Sequence, residues 1–573
     1  MIDRAPSHKF DRFLRSAQRF EEKWRKENLK CFQYYDGEQW TPGEKDEINE
    51  RGQQATVINT IKPTVDMVCS VETERRCDIQ VCGREESDDN KASLLTALLK
   101  HVFDVCNFDY YHSICFKEAC IGGRSWVECS IYTDERGKDM VKVDHVPWEN
   151  VYLDPYSRKP DASDARFIIK VKWVDRDVLK KLFPDKADEI DSTFDDDYKG
   201  QEYEAQMEAS DRGQEFYYDP KTQRVKICEC YYTVPEKRKV RILNEQNGKT
   251  TEKEIFKQAV HYVIFSDDII LKGSATEDSA NKNPLGIDCF PLIPIYCMRD
   301  RNGRPMGIVR GLIDIQDQIN KLNSKFLWSV ATNRVIIEEG AVRDEALLHE
   351  EMQKPDGLAI LNDGGLSKLR IDDKYRDLSY MSNHLNFLLA TEQRISGIND
   401  SMLGMGGTNE RSGIMQSTRI SQGAAMQTTI LENMYFSKQR IALVLLRLIG
   451  KFYTDYRVVR VTQPNGLTDN FEFNLPGRDK NGNPVILNKI EDTLYYDVIL
   501  KKVPPFNSIR DRQLTIFAEV LKSGVIPAPI AAKMMLSLAD VPKKEDLILE
   551  LENFYSGQQQ QTQGQTGQIP GQT

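Results

Sequence analysis

Between Gly307 and Trp328, Ile308, Leu312, Ile315, Ile319, Leu322 and Phe326 recur at spacings of four, three, four, three and four. That is the pattern of a helix with one apolar stripe. Arg310, Asp314, Asp317, Lys321 and Lys325 fall elsewhere on it, so one side is to be covered by protein while another stays wet. At about 1.5 Å per residue, Ile308 to Phe326 spans roughly 28 Å. A β-type run closing on Pro291-Leu-Ile-Pro294-Ile precedes this helix. A compact insertion, a second helix, a Gly-rich loop and a long helix follow it.

The insertion reads as strands at Asn333–Glu338 and Leu358–Leu361 around a small helix from Arg343 to Gln353. The second helix runs from about Asp377 to Ile398, with Leu378, Met381, Leu385, Leu388 and Ile395 as its stripe. Gly404-Met-Gly406-Gly407-Thr408-Asn409 interrupts the helical pattern, which resumes from Ser412 to Tyr456 with Gly423 as a point of bending.

Upstream, a helix carries Phe10, Phe13, Ala17, Phe20 and Trp24 on one face, and Pro63 opens another helix after Asn59-Thr-Ile-Lys. Helices at 92–103 and 110–121 and strands at 125–132 and 140–146 make an α+β domain. Asp154-Pro155 is a turn, and Asp191–Tyr218 is an acidic surface excursion with little core of its own. Strands resume at 224–233, 239–243 and 257–271, with Asn247-Gly248 as a hairpin tip. Beyond the long helix, strands at 457–462, 470–474 and 493–501 precede Pro504-Pro505, and a small helical unit starts at Ser508. The uncharged Gln-rich end from Ser556 is expected to be disordered.

At 573 residues the chain calls for two to four packed units. No apolar run approaches the ~20 residues of a membrane span, and the start lacks a secretory segment; a cytoplasmic protein, or one assembled in a cytoplasm, without a membrane partner, is expected. Twelve scattered cysteines without a C-x-x-C pair indicate neither zinc nor a disulfide lattice. Cys228 and Cys230, two apart on a strand, share one face. A net charge of −10 disfavours a protein that coats nucleic acid, yet an acidic wall would let DNA pass without sticking.

Catalytic motifs are scarce. Gly248-Lys249-Thr250 ends like a phosphate-binding loop, but Leu243 stands where the motif needs glycine, so a hairpin tip is the better reading. The acids Asp195-Asp-Asp197, Asp267-Asp268 and Asp372-Asp373 bring no nearby base or phosphate loop. The seven histidines form no ligand-spaced pair, and His384 reads as an interhelix contact. Lys237-Arg-Lys239 with Arg241 reads either as a contact to DNA or a partner, or as an edge strand protected by charge. No catalytic, cofactor or metal site is assigned.

Tyr35-Asp-Gly-Glu-Gln-Trp40, Asn59-Thr-Ile-Lys-Pro63, Pro147–Pro155 followed by Asp164-Ala-Arg166, and Asp314-x-Gln316 with Asn320-x-x-x-Ser324 occur in an order that resembles the portal proteins of tailed bacteriophages, nearest to the podovirus type. The resemblance runs from about residue 20 to 530. It implies a multidomain α+β portal fold without enzymatic activity: a wing (1–304 and 455–507), stem helices (305–331 and 376–399), a small αβ clip (332–375), a tunnel loop with a long helix (400–454), a helical crown (508–556) and a disordered tail (557–573).

It further implies a homo-oligomeric ring of about twelve subunits at one capsid vertex of the virion, with double-stranded DNA passing through it. Expected partners are the terminase large subunit, capsid and scaffolding proteins, and tail or head-completion adaptors. Channel-lining residues would be Gly404, Gly406, Gly407, Thr408, Asn409, Arg411, Arg419, Lys321 and Lys325. Arg343, Asp344, Glu345, His349 and Glu350 would meet motor or tail. The alternatives are another ring-forming head–tail adaptor, disfavoured by the length of the chain, and a nuclease or ATPase of the packaging machine, disfavoured by the missing phosphate loop.

Overall fold

The computed structural model describes residues 8–74, 77–83, 89–194, 217–243, 250–331, 335–351, 358, 360–371, 375–398, 402, 423, 427–462, 468–478, 484–488, 490 and 496–502. Two compact units result: Met1–Ser70 with Ile79–Ile499, and Val71–Asp78 with Leu500–Thr573. The expected crown, the Gln-rich tail, the Gly404–Glu410 loop and the first part of the helix expected from Ser412, as far as residue 422, lie outside the described residues.

A six-stranded antiparallel sheet dominates the first unit. Its order runs Val151–Leu153, Phe167–Asp175, Arg224–Leu243, Thr250–Ser266, Ile269–Lys272, with Tyr218–Asp219 also on the third of these. Alternation along the strands sends side chains to opposite faces. Phe167, Ile169, Cys228, Cys230 and Phe265 face the N-terminal helix Lys9–Asp36, meeting Phe10, Leu14 and Ala17. Ile168, Val225, Ile227 and Tyr231 face the other way, against Leu179, Ile190 and Phe194. Cys228 and Cys230 thus share a dry face, and burial pushes the Cys228 thiol up to about 12.

Phe194 and Tyr218, which flank the expected excursion, are buried core residues, and residues 195–216 between them lie outside the described residues. On the N-terminal helix the covered positions are 10, 11, 14, 17, 21, 24, 25, 28, 31, 34 and 35. Phe20 lies off that stripe and is exposed, its ring 5.8 Å from the Arg304 guanidinium. The aromatic residues alone therefore misplace the face, which includes Glu21 and Asn28.

A second sheet orders Leu292–Tyr296, Arg124–Thr133 and Asp139–Val146. Helix Phe108–Gly122 and the long helix Thr428–Phe452 both pack on it. Asn433 and Ser437 of the long helix donate to the carbonyls of Cys297 and Pro294 at 2.9 and 3.3 Å. Lys170, buried on the large sheet, donates to Glu128 on the small one at 2.5 and 2.6 Å and pairs with Glu229 at 3.0 Å, so an ion cluster satisfied from both sides joins the sheets. The 244–249 tip lies outside the described residues, but its flanks pair up to Leu243↔Thr250, as a hairpin requires. Asp267 and Asp268 form the tight turn before Ile269, with Asp267 at φ 49°.

The helix expected from Gly307 starts later, at Ile313, after a 3-10 turn over Val309–Gly311. The cause is a close backbone approach. The Ile308 amide donates to Cys120 O at 2.7 Å, and a Cβ on Gly307 would lie 2.2 Å from Ile121 O. Gly123, at φ +102°, closes helix Phe108–Gly122 where a Cβ would meet Met306 N at 2.5 Å. Two glycines thus fix where this helix leaves the domain.

In the insertion, Val335–Ile337 pairs with Leu369–Ile371, and among the described residues Leu361 contributes an isolated bridge to Val342. The small helix is Glu345–Glu351. Leu358 and Ile360 are exposed, so the apolar run that suggested a strand there has no core to face.

Gly307→Ala is expected to destabilise the protein by about 3 kcal/mol, since a backbone carbonyl cannot step aside. Gly311→Ala, four residues on with nothing within 4 Å of the added carbon, should stay within about 0.5 kcal/mol of the parent. Thermal unfolding of the two variants checks the contrast.

Candidate functional site

The 313–331 helix turns its most buried side toward the N-terminal region, and that side is polar. Gln316, Asn320 and Ser324, spaced by four, are 0, 1 and 2% exposed. They face the extended segment 56–60. Thr56 N donates to Ser324 Oγ at 3.2 Å, Ile58 N to Asn320 Oδ1 at 3.0 Å and Thr60 N to Gln316 Oε1 at 3.2 Å. Gln316 Nε2 donates to Ile58 O at 2.6 Å and Thr60 Oγ1 to Gln316 Oε1 at 2.6 Å.

Geometry explains the match. Four helical residues rise about 6.0 Å, and two extended residues about 6.6 Å, so every second backbone amide meets every fourth side chain. Asn320 Nδ2 also reaches Gln39 Oε1 at 2.6 Å, Gln39 donates to Tyr34 O, Trp40 Nε1 donates to Thr56 O at 3.0 Å, and Asn59 Nδ2 to Tyr35 O at 2.9 Å. The Tyr35–Trp40, Asn59–Pro63 and Gln316–Ser324 segments, separate in sequence, are thus one hydrogen-bonded joint.

The segment from Pro147 closes on itself in the same way. The buried Asp154 carboxylate accepts from Arg166 N, Nε and Nη2 at 2.9, 3.1 and 3.2 Å. Asp164 accepts from Ser157 Oγ at 2.8 Å and Arg158 N at 2.7 Å, and these bonds hold its carboxyl below the usual range despite partial burial. From the N-terminal helix, Arg25 donates to Glu149 O and Val151 O.

The charges expected on a wet helix face divide into two groups. Arg310 pairs with Glu27 at 3.2 Å, Lys321 with Glu44 at 3.2 Å, and Tyr34 OH donates to Asp317 at 2.5 Å. These tie the helix to its own N-terminal region. Lys321 remains half exposed and Lys325, one turn on, is exposed. The other channel candidates, Gly404, Gly406, Gly407, Thr408, Asn409, Arg411 and Arg419, lie outside the described residues. Arg343, Asp344, Glu345, His349 and Glu350 are all exposed on the small insertion. Asp344 Oδ1 accepts from Ala346 N and Leu347 N at 2.9 and 3.2 Å, so it caps the short helix.

The second helix, Tyr375–Ser396, packs along the first. Its stripe ends not at Ile395, which is 53% exposed, but at Glu392, which is 5% exposed and accepts from Thr64 Oγ1 at 3.1 Å. Burial raises the Glu392 carboxyl, with the Thr64 hydroxyl opposing it. His384 is exposed and stacks on Phe387 of its own helix. Leu327, Val330, Tyr380, Phe387 and Ile395 leave the helix pair with large exposed apolar side chains.

Among the described residues, no three His, Cys, Asp or Glu side chains gather as metal ligands, and no helix is long and apolar enough to cross a membrane. Asp195–Asp197 and Asp372–Asp373 lie outside them. What the described residues present is an anchored helix pair with uncovered apolar side chains, carried on a two-sheet domain, with a small insertion between the two helices. The chain matches the phage P22-like portal proteins over residues 11–573 and belongs to that family. It is also 23% identical over 540 residues to the portal protein of Helicobacter pylori bacteriophage KHP30, covering 93% of this chain and 80% of that one.

Replacing Gln316 by Leu strands the Thr60 amide and the Ile58 carbonyl and should cost about 3 kcal/mol, against about 1 for Ser324→Ala. Hydrogen exchange of a peptide spanning 53–61 should accelerate in the first variant. Glu392 gives a pH signature. A carboxyl raised in the folded state binds its proton more tightly there than in the unfolded chain, so stability is lost as pH rises from the unfolded value through the folded one. Glu392→Gln should therefore raise the thermal midpoint at pH 8 and leave it nearly unchanged at pH 4.

Proposed function

We propose that the chain is the portal of a tailed phage: a ring of about twelve copies at one capsid vertex, a non-enzymatic conduit through which DNA enters during packaging and leaves at ejection, and the seat of the tail. Family membership across residues 11–573 carries this reading. On it, the wing comprises residues 1–304 and 455–507, the stem 305–331 and 376–399, and the clip 332–375. The 400–454 segment begins with the tunnel loop, and the crown follows at 508–556.

Physical features support these roles. Leu327, Val330, Tyr380, Phe387 and Ile395 give the stem an apolar surface for neighbouring copies. Lys325 and the free side of Lys321 offer isolated cations toward DNA without a continuous basic track. The overall charge of −10 disfavours tight binding, as passage demands. Exposed Arg343, Asp344, Glu345, His349 and Glu350 suit the motor, the terminase large subunit, and later the tail or adaptor proteins. Capsid and scaffolding proteins would meet the wing and crown.

Native mass spectrometry of the purified chain, with negative-stain imaging of the same sample, tests the reading. Rings with a central hole and a mass near 790 kDa, twelve times 65.9 kDa, are expected. A closed dimer without rings overturns it.

A further inference from the structure

Shortly before the 313–331 helix the chain makes a tight hairpin, in which Met298–Arg299 pairs with Pro305–Met306. The segment Arg299-Asp-Arg-Asn-Gly-Arg304 carries three arginines. A fourth, Arg158, comes from the loop that follows Asp154-Pro155. The two segments are laced together: Arg158 Nη1 donates to Asn302 O, Arg299 Nη1 to Arg158 O at 2.6 Å and Arg299 Nε to Gly303 O at 3.2 Å.

The acceptors in these bonds are uncharged carbonyls. In several other places arginine pairs with a carboxylate, as Arg25 does with Glu21, Arg166 with Asp154 and Arg310 with Glu27. Arg158, Arg299, Arg301 and Arg304 have no such partner among the described residues. The carboxylates close by are committed elsewhere. Asp300 accepts from Asn302 N and Arg304 N, both at 2.8 Å, and Asp164 accepts from Arg158 N and Lys159 N at 2.7 and 3.1 Å. Asp161 pairs with Arg440 at 3.1 Å.

Two of the guanidiniums converge. The point where a Cβ on Gly303 would stand is 2.9 Å from Arg158 Nη1 and 3.1 Å from Arg299 Nη2. Arg299 lies over the Tyr296 ring at 5.0 Å and Arg304 over the Phe20 ring at 5.8 Å, and Arg304 Nε is buried without an acceptor. Arg158, Lys159 and Arg301 are exposed. Like charges gathered in this way repel one another, and the fold holds them together with no counter-charge of its own. On a chain of net charge −10 the excess is local.

We propose that Arg158, Arg299, Arg301 and Arg304 form a binding site for phosphate groups. The donor set selects this chemistry, because planar guanidinium forks match phosphate oxygens. A side-chain carboxylate brings one charge and two acceptors to a place where several cations meet. A nucleic-acid backbone repeats its charge, so exposed Arg301 and Lys159 find further phosphates to pair with. The carbonyl contacts fix two of the forks before any ligand arrives, which lowers the entropy lost on binding. The site lies apart in sequence from the residues expected to line a channel, and it stands independently of the ring reading.

Fluorescence anisotropy of the purified full chain with a fluorescein-labelled DNA duplex of mixed sequence, repeated over a salt series, tests the site. Arg301→Gln is expected to weaken binding about fivefold and to lower the salt slope by about 1. Arg136→Gln, an equal change of charge at another exposed turn, should leave both unchanged. The ³¹P signal of inorganic phosphate at matched ionic strength separates the sources. Broadening that Arg301→Gln abolishes, without duplex binding, assigns the site to free phosphate; duplex binding assigns it to nucleic acid. Equal duplex affinity in the Arg301→Gln and Arg136→Gln chains overturns the site, and so does capture of a polyglutamate peptide by a chain that binds neither phosphate probe. Rings that bind neither probe overturn the site and leave the ring reading standing, whereas Arg301-dependent binding by a sample without rings does the reverse.

Discussion

The backbone from Thr56 to Thr60 finds its hydrogen-bond partners in the side chains of a helix rather than in a second strand, and the placement of the 313–331 helix follows from that exchange. Buried amides and carbonyls must be paired. Here the pairing is done by Gln316, Asn320 and Ser324, each nearly inaccessible to water. Because the partners are side chains with fixed reach, the helix cannot rotate or slide without stranding several groups at once. An apolar seam would tolerate small slips; a polar one with every rung filled has a single register.

Other fixings converge on the same helix. The Gly307 and Gly123 contacts set its origin against the backbone of residues 120–123 and 305–307, and Arg310, Asp317 and Lys321 tie its flank to residues 27–44. Behind it, the Lys170 cluster binds the two sheets to each other. Grip then falls off along the helix: Leu327 and Val330 are uncovered, and in the small insertion Ala341 and Leu348 are buried while Leu358, Ile360 and Leu366 stand exposed. A firmly rooted helix pair with a sparsely packed end suits a part completed by its neighbours.

Much of this was legible in the sequence, unevenly. Element types came from periodicity, and the order of short motifs pointed to the family. The direction of the faces was harder. On helices 9–36 and 313–331 the apolar residues suggested one side, whereas the deepest positions include Glu21, Asn28, Gln316 and Asn320. Apolar periodicity cannot see a face buried by hydrogen bonding. Leu358–Leu361 read as a strand because its composition fits one, but the partner of Val335–Ile337 lies at Leu369–Ile371, and pairing across so long a span leaves no local trace. The charged residues between Arg310 and Lys325 were legible as charges; that three of them serve the chain's own N-terminal region was not.

The helix and the extended chain that it binds advance at different rates, about 6.0 Å and 6.6 Å per rung. The pair therefore behaves as a vernier. Centred on Asn320, three rungs stay within about 0.6 Å of coincidence, while one more at either end would fall roughly 1.2 Å out of step. This limits such a joint to a short stretch, and the chain turns helical at Ile61 directly after its last coincident rung. A portion of backbone this brief can be read by side chains alone, and its length is itself the measure that keeps the helix in phase.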